Sequence, residues 1–330
     1  MASTEDLPKG AIGDVARVQV DGVVALKIIK HCQEEGIGTE LVKGFLVGLV
    51  VGDTLEVTNS FPLPKAIITS KNQSSQYQRD MLSNLRKVNA DYHQVGWYQS
   101  TYLGPHFSQV FLESHFQYQL EIEESVVLIY DPLKTTLGNL SLRGFRLTRE
   151  MLDLLKNNDV FTPESLQAAG LKHGDMFEEL PVVLRQSNLV NGLLHSLAPD
   201  DPPYDLLHLS ATQHLESHMY LLIDSLESLQ QETYKMLGYE RNYTKQQQMK
   251  QQFLLKRKEE NARRAKEGEE LLPEDDKSIE KELNVKPTHA PPRQQALLTA
   301  EQVESQCEEI IDVSGQAFSK LYLSQMLNQQ

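Results

Sequence analysis

The sequence predicts an α/β domain with a mixed β-sheet flanked by helices, followed by a C-terminal α-helical extension. Three observations carry this reading. Over the first 150 residues, short apolar or alternating runs bounded by Gly, Pro and Asp interleave with segments of helical spacing. From Leu206 onward the pattern becomes a heptad seam without a strand signal. The 330 residues are 40% hydrophobic, enough for a core, yet the mean hydropathy of -0.42 requires segments that are polar throughout.

The elements follow in order. Val15 to Val20 alternates and meets the turn Asp21-Gly22, and Val23 to Cys32 has the spacing of a short helix that ends near Gly36. Leu41 to Val51 is a continuous apolar run of strand length, Gly52-Asp53 turns the chain, and Leu55 to Phe61 returns as the hairpin partner. Tyr77, Met81, Leu82, Leu85 and Val88 fall on one helical face. Val95 to Ser100 is a short strand, Phe107 to Leu120 a helix, and Ser125 to Tyr130 a strongly β-prone strand closed by Asp131-Pro132. Leu140 to Leu147 alternates like an edge strand, and Met176 to Leu184 reads as one more strand. Prolines and aspartates make a linker of Ala198 to Tyr204.

In the extension, Leu215, Met219, Leu222, Leu226, Leu229, Thr233 and Met236 step by three and four. A helix with one apolar stripe is unstable alone in water and must meet other helices. A basic stretch around Lys256, Arg257, Lys258, Arg263 and Arg264 is followed by a Pro-rich charged segment expected to be disordered. Order returns at Thr299, which with Gln302 fits a capping box. Val303, Cys307, Ile310, Ile311, Ala317, Phe318 and Leu321 then form a second stripe. The two stripes pack on each other or on partner helices. Interface candidates are Leu215, Met219, Leu222, Leu226, Leu229, Val303, Ile310, Phe318 and Leu321. The expected segments are a flexible N-terminus over 1–14, a domain core over 15–150, an extension and linker over 151–205, a long helix over 206–266, a disordered linker over 267–297 and a C-terminal helix over 298–327.

Composition excludes several functions. Two distant cysteines, Cys32 and Cys307, make no disulfide framework. No apolar run reaches the roughly 18–20 residues of a membrane span, and the polar start is no signal peptide, so an intracellular, cytoplasmic protein is expected. A net charge of -14 opposes a broad nucleic-acid face. No phosphate-binding, dinucleotide, nucleophile-elbow or HExxH motif is present.

Around Trp97 the chain reads VGWYQSTY. This resembles the signature of the JAMM metalloproteases, a branch of the MPN-domain family. The resemblance implies a Gly-Trp-Tyr strand followed by two histidines two residues apart, then a Ser, then an Asp three residues later. Two histidines so spaced at a strand end point the same way and bind one zinc ion, the Asp is the third ligand, and an upstream Glu is the general base for the zinc-bound water. Here Gln99 and Thr101 stand at the histidine positions and Tyr102 at the following Pro. Ser108 matches the motif Ser, so Phe111 takes the place of the Asp. Leu41 stands where the Glu is expected, and Glu40, one residue away, belongs to the opposite face of a strand. His93, His106 and His115 lie nearby but form no close-spaced pair. No metal, no cofactor and no catalytic residue is therefore expected.

Four segments in order, VDGVVALKIIKHCQEEG, VGWYQSTY, EESVVLIYDPLKT and TKQQQ, resemble the h-subunit family of eukaryotic translation initiation factor 3. That resemblance implies a non-catalytic MPN subunit in a core of PCI and MPN subunits. It would pair with the second MPN subunit, join a shared bundle of C-terminal helices, and meet the small ribosomal subunit and mRNA through the complex. The alternatives are a ligand-free MPN scaffold of the proteasome lid or signalosome, an active zinc isopeptidase, and direct RNA binding by the stretch near Lys256.

Overall fold

The computed structural model describes residues 15–36, 41–65, 71–104, 107–136, 140–156, 161, 163–197, 212–267 and 290–328. Within these, eight strands form one mixed sheet: β1 (Arg17–Asp21), β2 (Lys43–Val51), β3 (Thr54–Pro62), β4 (Gln94–Ser100), β5 (Val126–Asp131), β6 (Ser141–Leu147), β7 (Phe177–Leu180) and β8 (Val182–Arg185). Their order is β7-β6-β5-β4-β2-β3-β1-β8. The helices are α1 (Gly22–Glu35), α2 (Lys71–Lys87), α3 (Gln109–Glu121), α4 (Pro132–Thr136), α5 (Arg149–Lys156), α6 (Pro163–Ala169), α7 (Asn188–Leu197), α8 (Thr212–Glu267) and α9 (Gln294–Asn328).

Side-chain alternation divides the sheet into two apolar faces. One carries Phe45, Trp97, Val127 and Phe145 and packs against Phe111 and Leu112 of α3 and Met151 of α5. The other carries Val18, Leu46, Leu55, Tyr98 and Leu128 and packs against Val24, Ile28 and Cys32 of α1. The central strand β5 is buried at every position, which is why its sequence is an unbroken apolar run. The helix in α1 follows from the same logic: Val24, Ala25, Ile28, His31 and Cys32 recur on one face and are its buried residues.

Four expectations change. First, Leu140 to Leu147 is not an edge, because β6 lies between β5 and β7. Second, Met176 to Leu184 is two strands. Pro181 separates them, β7 pairs antiparallel with β6, and β8 pairs parallel with β1 at the far end of the sheet. The domain core expected over 15–150 therefore runs on to Arg185. Alternation gave no sign that one run would serve both ends of the sheet. Third, Thr299 caps nothing. Helix α9 begins five residues earlier at Gln294, and the Thr299 hydroxyl donates to the Gln295 carbonyl at 2.7 Å inside the helix. Fourth, the linker expected over 267–297 narrows at both ends, since α8 includes Glu267 and α9 starts at Gln294. The expected flexible N-terminus 1–14, the linker at Ala198 to Tyr204, residues 268–289, Glu40 and His106 lie outside the described residues.

Candidate functional site

The strand β4 presents Trp97 and Gln99 on one face and Tyr98 on the other. Tyr98 is sealed in place: its hydroxyl lies 2.8 Å from Nδ1 of His31, and its ring crosses directly over Gly44. A Cβ at Gly44 would collide with the Tyr98 ring, so the backbone of β2 approaches β4 only because that residue is glycine. Burial drives the Tyr98 pKa well above the usual phenol value. Ser100 ties the strand end to its neighbour, donating its backbone N–H to Val42 O and accepting from Val42 N at its hydroxyl, both at 2.8 Å.

On the opposite face the positions aligned with metal ligands are all filled by packing. Gln99 is buried and pairs across the ladder with Lys43, whose ammonium lies 5.4 Å from the Trp97 ring centroid. Burial lowers the Lys43 pKa. Thr101 is buried; its hydroxyl donates to the Gly104 carbonyl and its N–H to Tyr130 O. Ser108 accepts from the Phe111 N–H at 3.2 Å and so acts as the N-cap of α3. Phe111, in the place of the Asp, is 2% exposed, with its ring 5.4 Å from Trp97, 5.9 Å from Phe107 and 5.7 Å from Phe177. Leu41, in the place of the Glu, precedes β2 and is exposed.

Of the nearby histidines, the described ones, His93 and His115, are not gathered into a site. His93 lies against Tyr92, the rings tilted by 32° with centroids 4.5 Å apart. His115 is fully buried and accepts from Trp97 Nε1 at 3.2 Å through Nδ1. Burial, with Arg146 adding to it, pushes the His115 pKa down to about 3, so the ring is a neutral structural acceptor. Among the described residues, no group of three or more His, Cys, Asp or Glu side chains is arranged to hold a metal ion.

The segment after β4 is clamped from a distance in sequence. Leu103 and Gly104 both have positive φ, 62° and 91°. The Gly104 N–H donates to Asp131 Oδ2 at 3.1 Å, and the other oxygen of Asp131 caps α4 by accepting from Leu133 N at 2.9 Å. Helix α9 supplies the remaining partners. Gln302 Oε1 accepts from Phe107 N at 2.9 Å, and Gln306 Nε2 donates to Leu103 O at 3.0 Å. Glu309, 3% exposed at its side chain, pairs with Lys134 and lies 3.5 Å from Arg143 Nη1. The anchor is Leu298, fully buried in the Trp97 cluster.

Both halves of the sequence match known families. Residues 14–124 match the family model described as JAB1/Mov34/MPN/PAD-1 ubiquitin protease, and residues 135–330 match the model described as the C-terminal region of eIF3h. The chain is 43% identical to the H-B subunit of eukaryotic translation initiation factor 3 from Danio rerio, over 99% of this chain and 98% of that one. It is 44% identical to the H subunit of the same factor from Xenopus laevis, over 96% and 94%. Against the H subunit from Nematostella vectensis it is 42% identical, over 98% and 97%. The chain belongs to the H-subunit family of eukaryotic translation initiation factor 3.

In this member of the H-subunit family, Leu215, Leu222, Leu229, Val303 and Ile310 are half-buried, while Met219, Leu226, Phe318 and Leu321 are exposed, Phe318 at 72%. The two helices do touch, through His218 and Gln306 among others. The buried face of α9, which meets both α8 and the domain, is a different one: Leu298, Thr299, Gln302, Ser305, Gln306, Glu309 and Val313. Sequence reasoning gave Gln302 a capping-box role and missed Gln306 and Glu309, because it sought an apolar stripe. Their spacing of four and three was the available signal, but a polar face is ordinarily a solvated one. Of the basic stretch, Arg257 is buried and lies 5.5 Å from the Phe253 ring. No helix among the described residues is long and apolar enough to cross a membrane.

Proposed function

We propose that this chain is a non-catalytic, structural component of the translation initiation factor 3 complex. In this reading it supports assembly of the complex on the small ribosomal subunit and meets mRNA through that complex, in the cytoplasm. Its partners are the PCI and MPN subunits, above all the second MPN subunit. The single observation that carries the reading is the fate of Phe111. A hydrolytic zinc site needs three protein ligands and an open position for water. Here the third ligand position is an aromatic side chain packed against Trp97, Phe107 and Phe177, and the other two are an amide and a hydroxyl that cannot replace two imidazoles.

With chemistry absent, the chain acts through surface. Met219, Leu226, Ile311, Phe318, Leu321 and Tyr322 are large apolar side chains left in water on α8 and α9. Partner helices of the bundle would cover them. The test is affinity purification of the full chain carrying Ile311→Ser, Phe318→Ser and Leu321→Ser. Loss of the other subunits from the purified material, with unfolding unchanged, is the expected result. Full recovery of those subunits would refute the bundle reading. Stoichiometric zinc in the unmodified protein, removed by chelation, would refute the non-catalytic one.

A further inference from the structure

Residues 101–104 pose a physical problem. They hold a non-glycine residue, Leu103, at φ 62°, and Gly104 at φ 91°, in a run that is neither helix nor strand. A left-handed leucine is unfavourable and persists only where surrounding contacts fix it. In a metal-binding relative two ligands would sit at the start of this run, so the ion itself would fix the chain. Here neither residue 99 nor residue 101 is a ligand type, and the described residues hold no metal-binding group.

The contacts name the replacement. Three successive turns of α9 each reach this run, Phe107 or their supports. Gln302 takes the Phe107 N–H, Gln306 caps the Leu103 carbonyl, and Glu309 pairs with Lys134 and Arg143 beside Asp131, the residue that accepts the Gly104 N–H. The Glu309 side chain also closes over Gly104: a Cβ there would lie 3.2 Å from Glu309 Cγ. The buried face of α9 is thus mostly polar, and Gln302, Gln306 and Glu309 on it each answer a group of the run or its base. An apolar helix face would leave the Leu103 carbonyl and the Phe107 N–H without partners.

The clamp continues to α8. Because the Gln306 amide N–H is engaged by Leu103 O, its oxygen faces His218 Nδ1 at 3.2 Å and accepts the hydrogen there. The other ring nitrogen of His218, Nε2, lies 3.1 Å from Nε2 of His214. Burial, then the neighbouring His218 ring, lowers the His214 pKa, which keeps that ring neutral and able to donate. A single line of hydrogen bonds therefore runs from Leu103 through Gln306 and His218 to His214, joining the run after β4, α9 and α8.

We propose that α9 is the tether of residues 101–104, doing with Gln302, Gln306 and Glu309 what a metal ion does in a ligand-bearing relative. The order of this run is then conditional on the seat of the C-terminal helix. Whatever moves α9 relative to the domain changes the surface that follows β4, and the His218–Gln306 link carries the same movement to the first turns of α8. This inference concerns only the chain's own contacts and stands whether or not the assembly reading above is correct.

The decisive readout is amide hydrogen exchange in the full chain. The Gly104 N–H bonds to Asp131, not to α9, so a change there reports release of the whole run and not loss of one bond. Gln306→Ala with Gln302→Ala is expected to speed exchange at Gly104 at least tenfold while leaving the β5 amides unchanged. Glu309→Gln keeps the shape, removes the charge and is expected to give a smaller change in the same direction. Added chelator is expected to change nothing. Unaltered exchange at Gly104 in the double variant would overturn the proposal. So would a chelator that speeds exchange in the unmodified chain, because an ion and not the helix would then be holding these residues.

Discussion

The sheet domain and the α8/α9 pair keep opposite rules. In the domain, apolar side chains are inside and polar ones are exceptions with a named partner, as with His31 on Tyr98 or His115 on Trp97. On α9 the buried face is largely glutamine, serine, threonine and glutamate, and the large apolar residues Ile311, Phe318 and Tyr322 face water. The difference teaches that the two regions are held by different forces. The domain is held by area removed from water, which is forgiving of detail. Beyond its apolar anchor Leu298, the helix is held by hydrogen bonds and ion pairs whose worth depends on geometry and on both partners being present.

The sharpest way to break this contrast is to put a charge where the domain has none. Phe111→Asp restores a ligand type but buries a carboxylate among aromatic rings. It is expected to cost upwards of about 4 kcal/mol and to bring no zinc, even combined with Gln99→His and Thr101→His; denaturant unfolding and metal analysis read both. Trp97→Ala, a plain cavity, is expected to cost about 3–5 kcal/mol in the same unfolding measurement. For the helix, Glu309→Ala removes the ion-pair partner of Lys134 and leaves Arg143 on Glu179, and is expected to cost roughly 2 kcal/mol. Its signature is early loss of α9 protection with the sheet intact, which a uniform loss would contradict.

A titration sharpens the comparison further. The folded pKa of His115, about 3, lies below its unfolded value, so the unfolded chain binds the extra proton. Stability that is present above about pH 6.5 is lost as pH falls towards 3, at about 1.4 kcal/mol per pH unit. Unfolding at pH 6.5 and pH 5 should differ by about 2 kcal/mol from this group, and His115→Gln, which keeps an acceptor for Trp97, should remove that difference. The smallest effect belongs to the exposed stripe: Phe318→Ser is expected to change the stability of the isolated chain by less than about 0.5 kcal/mol.

Legibility in the sequence follows the same division. Strands β1 to β6 and helices α1 to α3 were readable because periodic burial writes itself into apolar spacing. That Gln99, Thr101 and Phe111 are not the residue types of a zinc site is read from the sequence directly, whatever the fold does. The split of Met176 to Leu184 into two strands was not readable, because pairing partners leave no trace in one strand's alternation. The role of Gln302, Gln306 and Glu309 was hidden for a related reason. Polar residues look alike whether they face water or a carbonyl two hundred residues away, and only the fold says which.

The run from Phe177 to Arg185 has a consequence for how this protein can be approached. Its first half closes one margin of the sheet on β6 and its second half closes the other on β1, with Pro181 at the crossing and its carbonyl accepting from Val18 N at 3.0 Å. The outer margins are thus two four-residue pieces of one run, carrying Glu178, Glu179 and Arg185. Margins this short resist templating by another chain, although the second also exposes Val183 and Leu184. Recognition by β-augmentation is disfavoured, and a binder must address helices and side chains instead. The same economy concentrates risk: one break near Pro181 would unzip both margins together, turning a guarded sheet into an adhesive one.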